Sequence, residues 1–383
     1  SIDSKRCVFL VLLDLSAAFD MVDHRILLTR LSDQFEVRGR ALQWMESNFC
    51  GHKQFVVVNG TRSCEHSLDC NVPQGSVLGP GLFGDYSSPI GDIFRKHGIE
   101  FHLYADDTQV YVSFAADDEA QALSKLEACI AEVRLWMAKN YLKLNGEKTD
   151  FIVLGSKHNL KKVYTPHVGD AKIKPSDCVK NIGASLDKEM QLEKQVTLTC
   201  KSAWYHLYQL SKIKKYLSKE QLQSVIQAFV ISKLDENNGL LIGSPKQLTA
   251  KLQSIQNAAA KMICGIKRFD HAPAPLQKLH WLPVEYRIKF KVLLLCFKCM
   301  YDNGPTYLKE LLVPYAPPRS LRSSSSNLLT VPKTSMKRYG DRAFSVAGPV
   351  LWNSLPDSVK ACQSVASFKR SLKTHFFKLA HGV

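Results

Sequence analysis

Phe101-His-Leu-Tyr-Ala-Asp-Asp-Thr-Gln-Val-Tyr-Val-Ser-Phe114 is the stretch from which the rest of the chain is read. Ahead of the acid pair, Phe101 and Leu103 alternate with His102 and Tyr104; behind it, Val110, Val112 and Phe114 alternate with Gln109, Tyr111 and Ser113. Two-residue patterning, rich in β-branched and aromatic side chains around a short polar break, predicts a β-hairpin with Asp106 and Asp107 at its tip. Adjacent carboxylates repel, and a hard cation such as Mg²⁺, which favours oxygen ligands, relieves that repulsion. An ordinary solvated Asp-Asp turn fits the same pattern. A third acid separates the two readings. Asp14 ends the apolar run Val8-Phe-Leu-Val-Leu-Leu13, which has the length and composition of a buried central strand. An acid at the end of such a strand needs a reason. Two strands delivering three acids to one spot would make a two-metal site for in-line phosphoryl displacement.

Four motifs then occur in order: Leu13-Asp14-Leu-Ser-Ala-Ala-Phe19-Asp20, Pro73-Gln-Gly-Ser-Val-Leu-Gly-Pro80, Tyr104-Ala-Asp-Asp107 and Leu142-Lys-Leu-Asn-Gly-Glu-Lys148-Thr. Together they resemble the palm motifs of a reverse transcriptase of the non-LTR (LINE-type, jockey-like) retrotransposon class. The resemblance continues through Leu279-His-Trp-Leu-Pro-Val-Glu-Tyr-Arg287, Tyr339-Gly-Asp-Arg-Ala-Phe344 and Leu351-Trp-Asn-Ser-Leu-Pro356, and so covers nearly the whole chain. It implies an α+β fold: a polymerase palm, an antiparallel sheet backed by helices, then a helical thumb and a basic C-terminal extension. The domains it implies are a palm over 1–188, a helical thumb-like or connection region over 189–313, a linker over 314–327 and a basic extension over 328–383. The implied activity is RNA-directed DNA synthesis, nucleotidyl transfer to a primer 3′-hydroxyl with two Mg²⁺ ions, Mn²⁺ being a possible substitute. The implied partners are an RNA template, a DNA primer and deoxynucleoside triphosphates. The expected setting is intracellular, in a cytoplasmic ribonucleoprotein and the nucleus; oligomeric state stays open.

By the same resemblance Asp14, Asp106 and Asp107 are the catalytic metal ligands, with Asp14 and Asp106, the first acid of each motif, ranking above Asp107. Phe19 stands where the family sets an aromatic wall against the 2′ carbon of the incoming nucleotide; a helix-start residue packed in the core is the competing reading. Gln74 and Gly75 would meet nucleotide and template, glycine permitting close backbone approach, although an ordinary Pro-Gln-Gly turn has the same sequence. Lys148 would stand near the leaving pyrophosphate, or simply in solvent. Asp20 and Asp23 read as helix-start acids. Val179-Lys-Asn-Ile-Gly-Ala-Ser-Leu-Asp187 resembles, more loosely, a hairpin that grips the primer.

The charge of +16 is unevenly divided. Residues 1–155 carry 15 Lys and Arg against 21 Asp and Glu, a net of −6, while 156–383 carry 36 against 14, a net of +22. The basic half suits a polyanion, and nucleic acid is the first candidate. Lys212, Lys214, Lys215 and Lys219 cluster as a phosphate contact or as a solvated face. The 11 cysteines form no repeating pairs, which points to a reducing compartment. Cys296 and Cys299 have metal-ligand spacing but lie in an apolar helical run, and buried core thiols are the better reading. No apolar run reaches the length of a membrane span.

Along the chain, helical spacing is expected after Asp14 and over 38–49, a strand over 54–58 with an Asn59-Gly60 turn, and an amphipathic helix through Leu123–Met137 capped by Asp117 or Asp118. Strands follow at Leu142, Leu144 and 151–154. From about Gln191 the pattern turns helical, with a capping box at Ser218-Lys-Glu-Gln221, helices over 247–264 and 284–302, a linker through Pro317-Pro318 and the serines from Ser323, a short strand signal, and a final basic helix at Phe368, Leu372 and Phe376. Three departures from the family stand out. The chain begins at the first palm motif without the preceding fingers or an endonuclease, as expected of a fragment. Leu82-Phe-Gly-Asp-Tyr-Ser-Ser-Pro-Ile90 replaces an apolar helix, and Gly84 and Pro89 both disfavour helix. Asp235-Glu-Asn-Asn-Gly is more polar than its counterpart. A decayed, catalytically silent nucleic-acid-binding remnant is therefore the alternative function; RNA-templated RNA synthesis is a third, against which Phe19 argues.

Overall fold

The computed structural model describes residues 1–115, 117–160, 167–168, 171–266, 273–301, 304–316 and 327–382. The chain forms two compact units, Ser1–Ile182 with Lys188–Met190, and Gly183–Asp187 with Gln191–Val383.

The first unit is built on a four-stranded antiparallel sheet. Strand β1 (Cys7–Leu13) is flanked by the second arm of the acid hairpin and by a later strand. Four strands of two residues follow: β2 (Lys53–Gln54), β3 (Val57–Val58), β4 (Thr61–Arg62) and β5 (His66–Ser67). The hairpin is β6 (Glu100–Tyr104) and β7 (Asp107–Phe114), and the sheet closes with β8 (Asp150–Leu154), in the order β6-β7-β1-β8. Its register sets the faces, because successive side chains alternate across a pleat. Phe9, Val11, Leu13, Val110, Val112, Phe114, Phe151 and Val153 share the face that is buried in the core. Leu12, Gln109 and Asp150 are register partners on the opposite face, which also carries the half-buried His102 and Tyr111.

Helices cover the apolar face: α1 (His24–Asp33), α2 (Arg40–Phe49), α3 (Gly79–Ser87), α4 (Ile90–Lys96) and α5 (Glu119–Lys139). Asp23 caps α1, its Oδ1 accepting the Arg25 and Ile26 N–H groups at 2.9 Å. Asp20 lies instead in the first turn of a separate 3₁₀-helix, Phe19–Met21, so the two helix-start acids serve two different helices. The strand expected over 54–58 is broken into β2 and β3, and both Asn59 and Gly60 take positive φ at the turn to β4. The stretch around Gly84 also departs from expectation. Helix α3 forms through it, because Pro80 sits in the first turn, where its missing N–H is harmless, and Leu82, Phe83 and Tyr86 are buried. Those buried side chains outweigh the roughly 1 kcal/mol of an interior glycine. Pro89 falls just before α4 rather than inside a helix. Asp118 occupies the N-cap of α5, but its side chain makes no capping hydrogen bond. Arg30 is a buried cation whose guanidinium donates to the Tyr86 carbonyl and Asn140 Oδ1.

Short strands β9 (His167–Val168), β10 (Ala171–Lys172) and β11 (Cys178–Asn181) complete the first unit, and β12 (Ala184–Asp187) opens the second. The second unit is otherwise helical in its described residues: α6 (Glu193–Ile213), α7 (Lys219–Ile226), a π-helical turn Gln227–Ile231, α8 (Ser232–Asp235), α9 (Lys246–Cys264), α10 (Pro273–Lys278), α11 (Val284–Met300), α12 (Thr306–Lys309), α13 (Phe344–Asn353), α14 (Asp357–Lys360) and α15 (Val365–His381). The Ser218–Gln221 capping box is present at both ends. Phe297 stacks on Phe368 at 4.2 Å between centroids, with Trp352 against Phe368 at 5.9 Å. Cys296 and Cys299 are buried free thiols in α11, and burial pushes Cys296 up to about 12. The polar Asp235 is satisfied internally, accepting from Arg287 Nε at 2.7 Å and Asn238 Nδ2 at 3.2 Å. The expected tail strand is a single bridge, Pro314 to Leu329, and most of the 314–327 linker lies outside the described residues.

Candidate active site

The register of the sheet carries the acids to one edge. Leu13 pairs with Thr108 and Tyr104 with Asp107, leaving Ala105 and Asp106 as a two-residue turn. Asp14, the next residue after β1, continues the register to Asp107 on the neighbouring strand. Ala105 holds φ at +53°, a left-handed conformation that costs a non-glycine residue about 1–2 kcal/mol. Strain of this kind persists only where the surrounding structure fixes it. Here the paired arms of the hairpin do so.

Asp14 is held by the chain around Lys148. Its carbonyl accepts the Asn145 N–H at 2.8 Å, and its own N–H points at Thr149 Oγ1, 3.5 Å away. Leu15 bridges Leu144, and the Ser16 N–H donates to the Lys143 carbonyl at 2.9 Å. The backbone is thus fully engaged while the carboxylate is not: Asp14 Oδ2 is buried with no hydrogen-bond partner. An acceptor left in that state is costly. Burial, then the charges of Asp106 and Asp14, hold the Asp107 pKa above the usual carboxylate range. Asp150, at the start of β8, is raised by burial and then by Asp14. Asp14 therefore couples to carboxylates on both neighbouring strands.

Among the described residues, no three His, Cys, Asp or Glu side chains draw close enough to hold a metal ion as they stand. The donor chemistry nevertheless fits a hard divalent cation: oxygen donors, like charges that raise one another's proton affinity and one buried oxygen without a partner.

The remaining candidates form a second group. Phe19 is half-buried and packs on Phe83 at 5.2 Å between ring centroids, so its core contact is real. Its carbonyl accepts the Val72 N–H at 2.9 Å, and Val22 accepts from Asn71 at 3.0 Å. These bonds tie the start of the Gln74–Gly75 loop to the Phe19 segment. Gln74 and Gly75 are exposed, and Gly75, at φ +82°, has open space where a Cβ would stand. Lys148 is exposed on the loop that holds Asp14, its N–H donating to Asn145 Oδ1 at 3.3 Å. Asn145 and Thr149 lie inside the Leu142–Thr149 motif, in which the sequence assigned a role only to Lys148, and Asp150 directly follows it. The available signal for Asp150 was the one that marked Asp14, an acid abutting an apolar strand.

The comparisons bear on the same residues. The family model described as reverse transcriptase (RNA-dependent DNA polymerase) matches residues 2–186. A probable RNA-directed DNA polymerase from transposon X-element of Drosophila melanogaster is 27% identical over 278 residues, 70% of this chain. The RNA-directed DNA polymerase from mobile element jockey of the same organism is 25% identical over 192 residues, 48% of this chain. The matches span 29% and 20% of those relatives' lengths. Among solved structures, apo telomerase from Candida tropicalis matches 71% of this chain and 50% of that one, at 12% identity and a TM-score of 0.36. With the acid hairpin, the strand ending at Asp14 and the Pro-Gln-Gly loop all inside the matched residues, 2–186 match the reverse transcriptase family and are similar to the polymerases of jockey-like, non-LTR elements.

Proposed function

We propose that this chain carries out RNA-directed DNA synthesis, with residues 1–188 acting as palm and 189–313 as thumb. The observation that carries the reading is the register that sets Asp14 beside the Asp106–Asp107 turn with Oδ2 of Asp14 buried and unpartnered. Reverse transcriptases work with divalent metals; here the ions would be two Mg²⁺, held by Asp14, Asp106 and Asp107, lowering the pKa of a primer hydroxyl and stabilising the leaving pyrophosphate. The protein's own part is positioning. The Asn145 and Thr149 contacts fix the Asp14 backbone, and the hairpin turn fixes Asp106. Phe19 excludes a 2′-hydroxyl, Gln74 and Gly75 approach nucleotide and template, and Lys148 offsets phosphate charge. The substrates are deoxynucleoside triphosphates, an RNA template and a DNA primer.

Primer extension on an RNA template tests this, with Asp14→Asn and Asp106→Asn as controls. Incorporation that neither substitution reduces would remove the assignment. The 36 basic against 14 acidic residues of 156–383 favour a second reading, a nucleic-acid binder without catalysis. That reading wins when the wild-type chain binds template-primer with steep salt dependence but never extends it.

A further inference from the structure

Residues 327–334 run without a turn, and the two edges of this segment are treated differently. One edge is paired: the Tyr315 N–H donates to the Leu328 carbonyl at 2.9 Å, and the Thr330 N–H to the Val313 carbonyl at 2.8 Å. On the other edge a side chain grips Leu329. The Leu329 N–H donates to Asn353 Oδ1 at 2.9 Å, and its carbonyl accepts from Asn353 Nδ2 at 2.8 Å. One amide from α13 thus stands in for a residue of a neighbouring strand. In extended chain every second residue presents its N–H and carbonyl to the same side, so Val331 and Lys333 continue that edge. Both are exposed, and neither makes a backbone hydrogen bond to another described residue. Pro332, which has no N–H to offer, falls between them on the alternate edge.

The same residues border a cleft of about 800 Å³ within the helical unit, a size in the usual range for ligand sites. Its lining is apolar at Ile288 of α11 and at Val346, Val350 and Leu351 of α13. Residues 241–244 form another wall, held by Arg342, whose Nε donates to the Ile242 carbonyl at 3.1 Å and whose guanidinium reaches Ser244 Oγ at 3.4 Å. Gly243 has φ +67°, and a Cβ there would stand 2.6 Å from Arg342 Cγ, so only glycine fits beside the brace. The charges around the cleft are unequally satisfied. Lys289 is paired with Glu285 at 2.6 Å, and Asp341 accepts the Thr334 hydroxyl at 2.6 Å. Lys246 and Lys333 form no ion pair with another described residue.

We propose that this cleft receives an extended, acidic segment of a partner protein, which pairs as an added strand with Val331 and Lys333. Its alternate apolar side chains lie against Val346, Val350 and Leu351, and its acidic ones meet Lys246 and Lys333. Each feature narrows the occupant. Unpaired backbone groups at every second residue match a peptide, the valines match apolar side chains, and the free ammonium groups match carboxylates. No aromatic side chain lines the cleft, so a nucleic-acid base finds no ring to stack on. A second copy of this chain, at +16, is repelled by the first.

The test is fluorescence anisotropy of the full chain with three labelled octapeptides: valine alternating with glutamate, valine alternating with lysine, and the first sequence with its backbone nitrogens methylated. The glutamate peptide is expected to bind roughly ten-fold more tightly than either of the others. Val350→Glu, at a position that is 50% exposed, weakens it by a similar factor. Lys246→Glu with Lys333→Glu reverses the preference between the two charged peptides. The methylated peptide meets the unaltered chain, so that arm depends on no variant's folding, and circular dichroism checks the variants. Equal affinity for the three peptides, or a Val350→Glu chain that binds like wild type, overturns the proposal. So does an oligouridylate that loses affinity in Val350→Glu, which assigns the cleft to nucleic acid, or self-association lost in that variant, which assigns it to a second copy.

Discussion

The acid edge of the sheet and the lysine face of α6 both gather like charges, and they do so under opposite conditions. At the edge, β1 and β7 bring Asp14, Asp106 and Asp107 into electrostatic range, and the partial burial of Asp14 and Asp106 thins the water that would screen them. On α6 the lysines stand in solvent at helical spacing, where screening makes their repulsion small. The first arrangement is held by the fold at the expense of its stability; the second asks almost nothing of the fold. Charge that is concentrated and strained implies a demanding ligand such as a small multivalent ion. Charge that is spread along a solvated helix makes no such demand.

The sharpest attempt to break this contrast is at Asp14. Asp14→Asn and Asp106→Asn should each lower templated extension by several kcal/mol of transition-state stabilisation, at least a hundred-fold. Equal loss of extension from Lys201→Gln would erase the distinction between the two regions. Next come the cores. Phe9→Ala under the sheet and Trp352→Ala in the helical unit should each cost about 3–5 kcal/mol in denaturant unfolding. Loss of the capping hydroxyl in Ser218→Ala should cost about 1 kcal/mol, because it frees the Gln221 N–H. The smallest effect is the most diagnostic of strain. Asp107 has a raised pKa in the folded chain, so the folded state binds protons more readily than the unfolded one and loses stability as pH rises through that range. Asp107→Asn should therefore melt slightly higher than wild type at neutral pH. The gain should vanish on acidification, once the native carboxyl is itself protonated. A melting temperature unchanged at every pH would mean that the acids are not strained.

Much of this was visible before the structure. The alternation on either side of Asp106-Asp107 is local, and a pleated strand has to follow it. The α5 periodicity, the Ser218 capping box and the Asn59-Gly60 turn were legible for the same reason. The stretch through Gly84 was misread because propensity is a small term, overridden there by the burial of Leu82, Phe83 and Tyr86. Asp20 stands at a helix start of its own because the chain makes a separate 3₁₀ turn before α1, a detail that no spacing rule encodes. Asp150 and the Asn145–Thr149 clamp were missed because their relevance depends on which strand lies beside β1.

The order of motifs in the chain determined the family and named the acids, since each motif is a short run whose chemistry is written in consecutive residues. Only the tertiary structure decided that β7 and β8 flank β1 on its two sides, and hence that Asp14 faces carboxylates from both. It also decided which face of α6 stays open. Pairing partners and outward faces are settled by non-local contacts, in which the packing of the whole core selects one register from the several that local patterning allows.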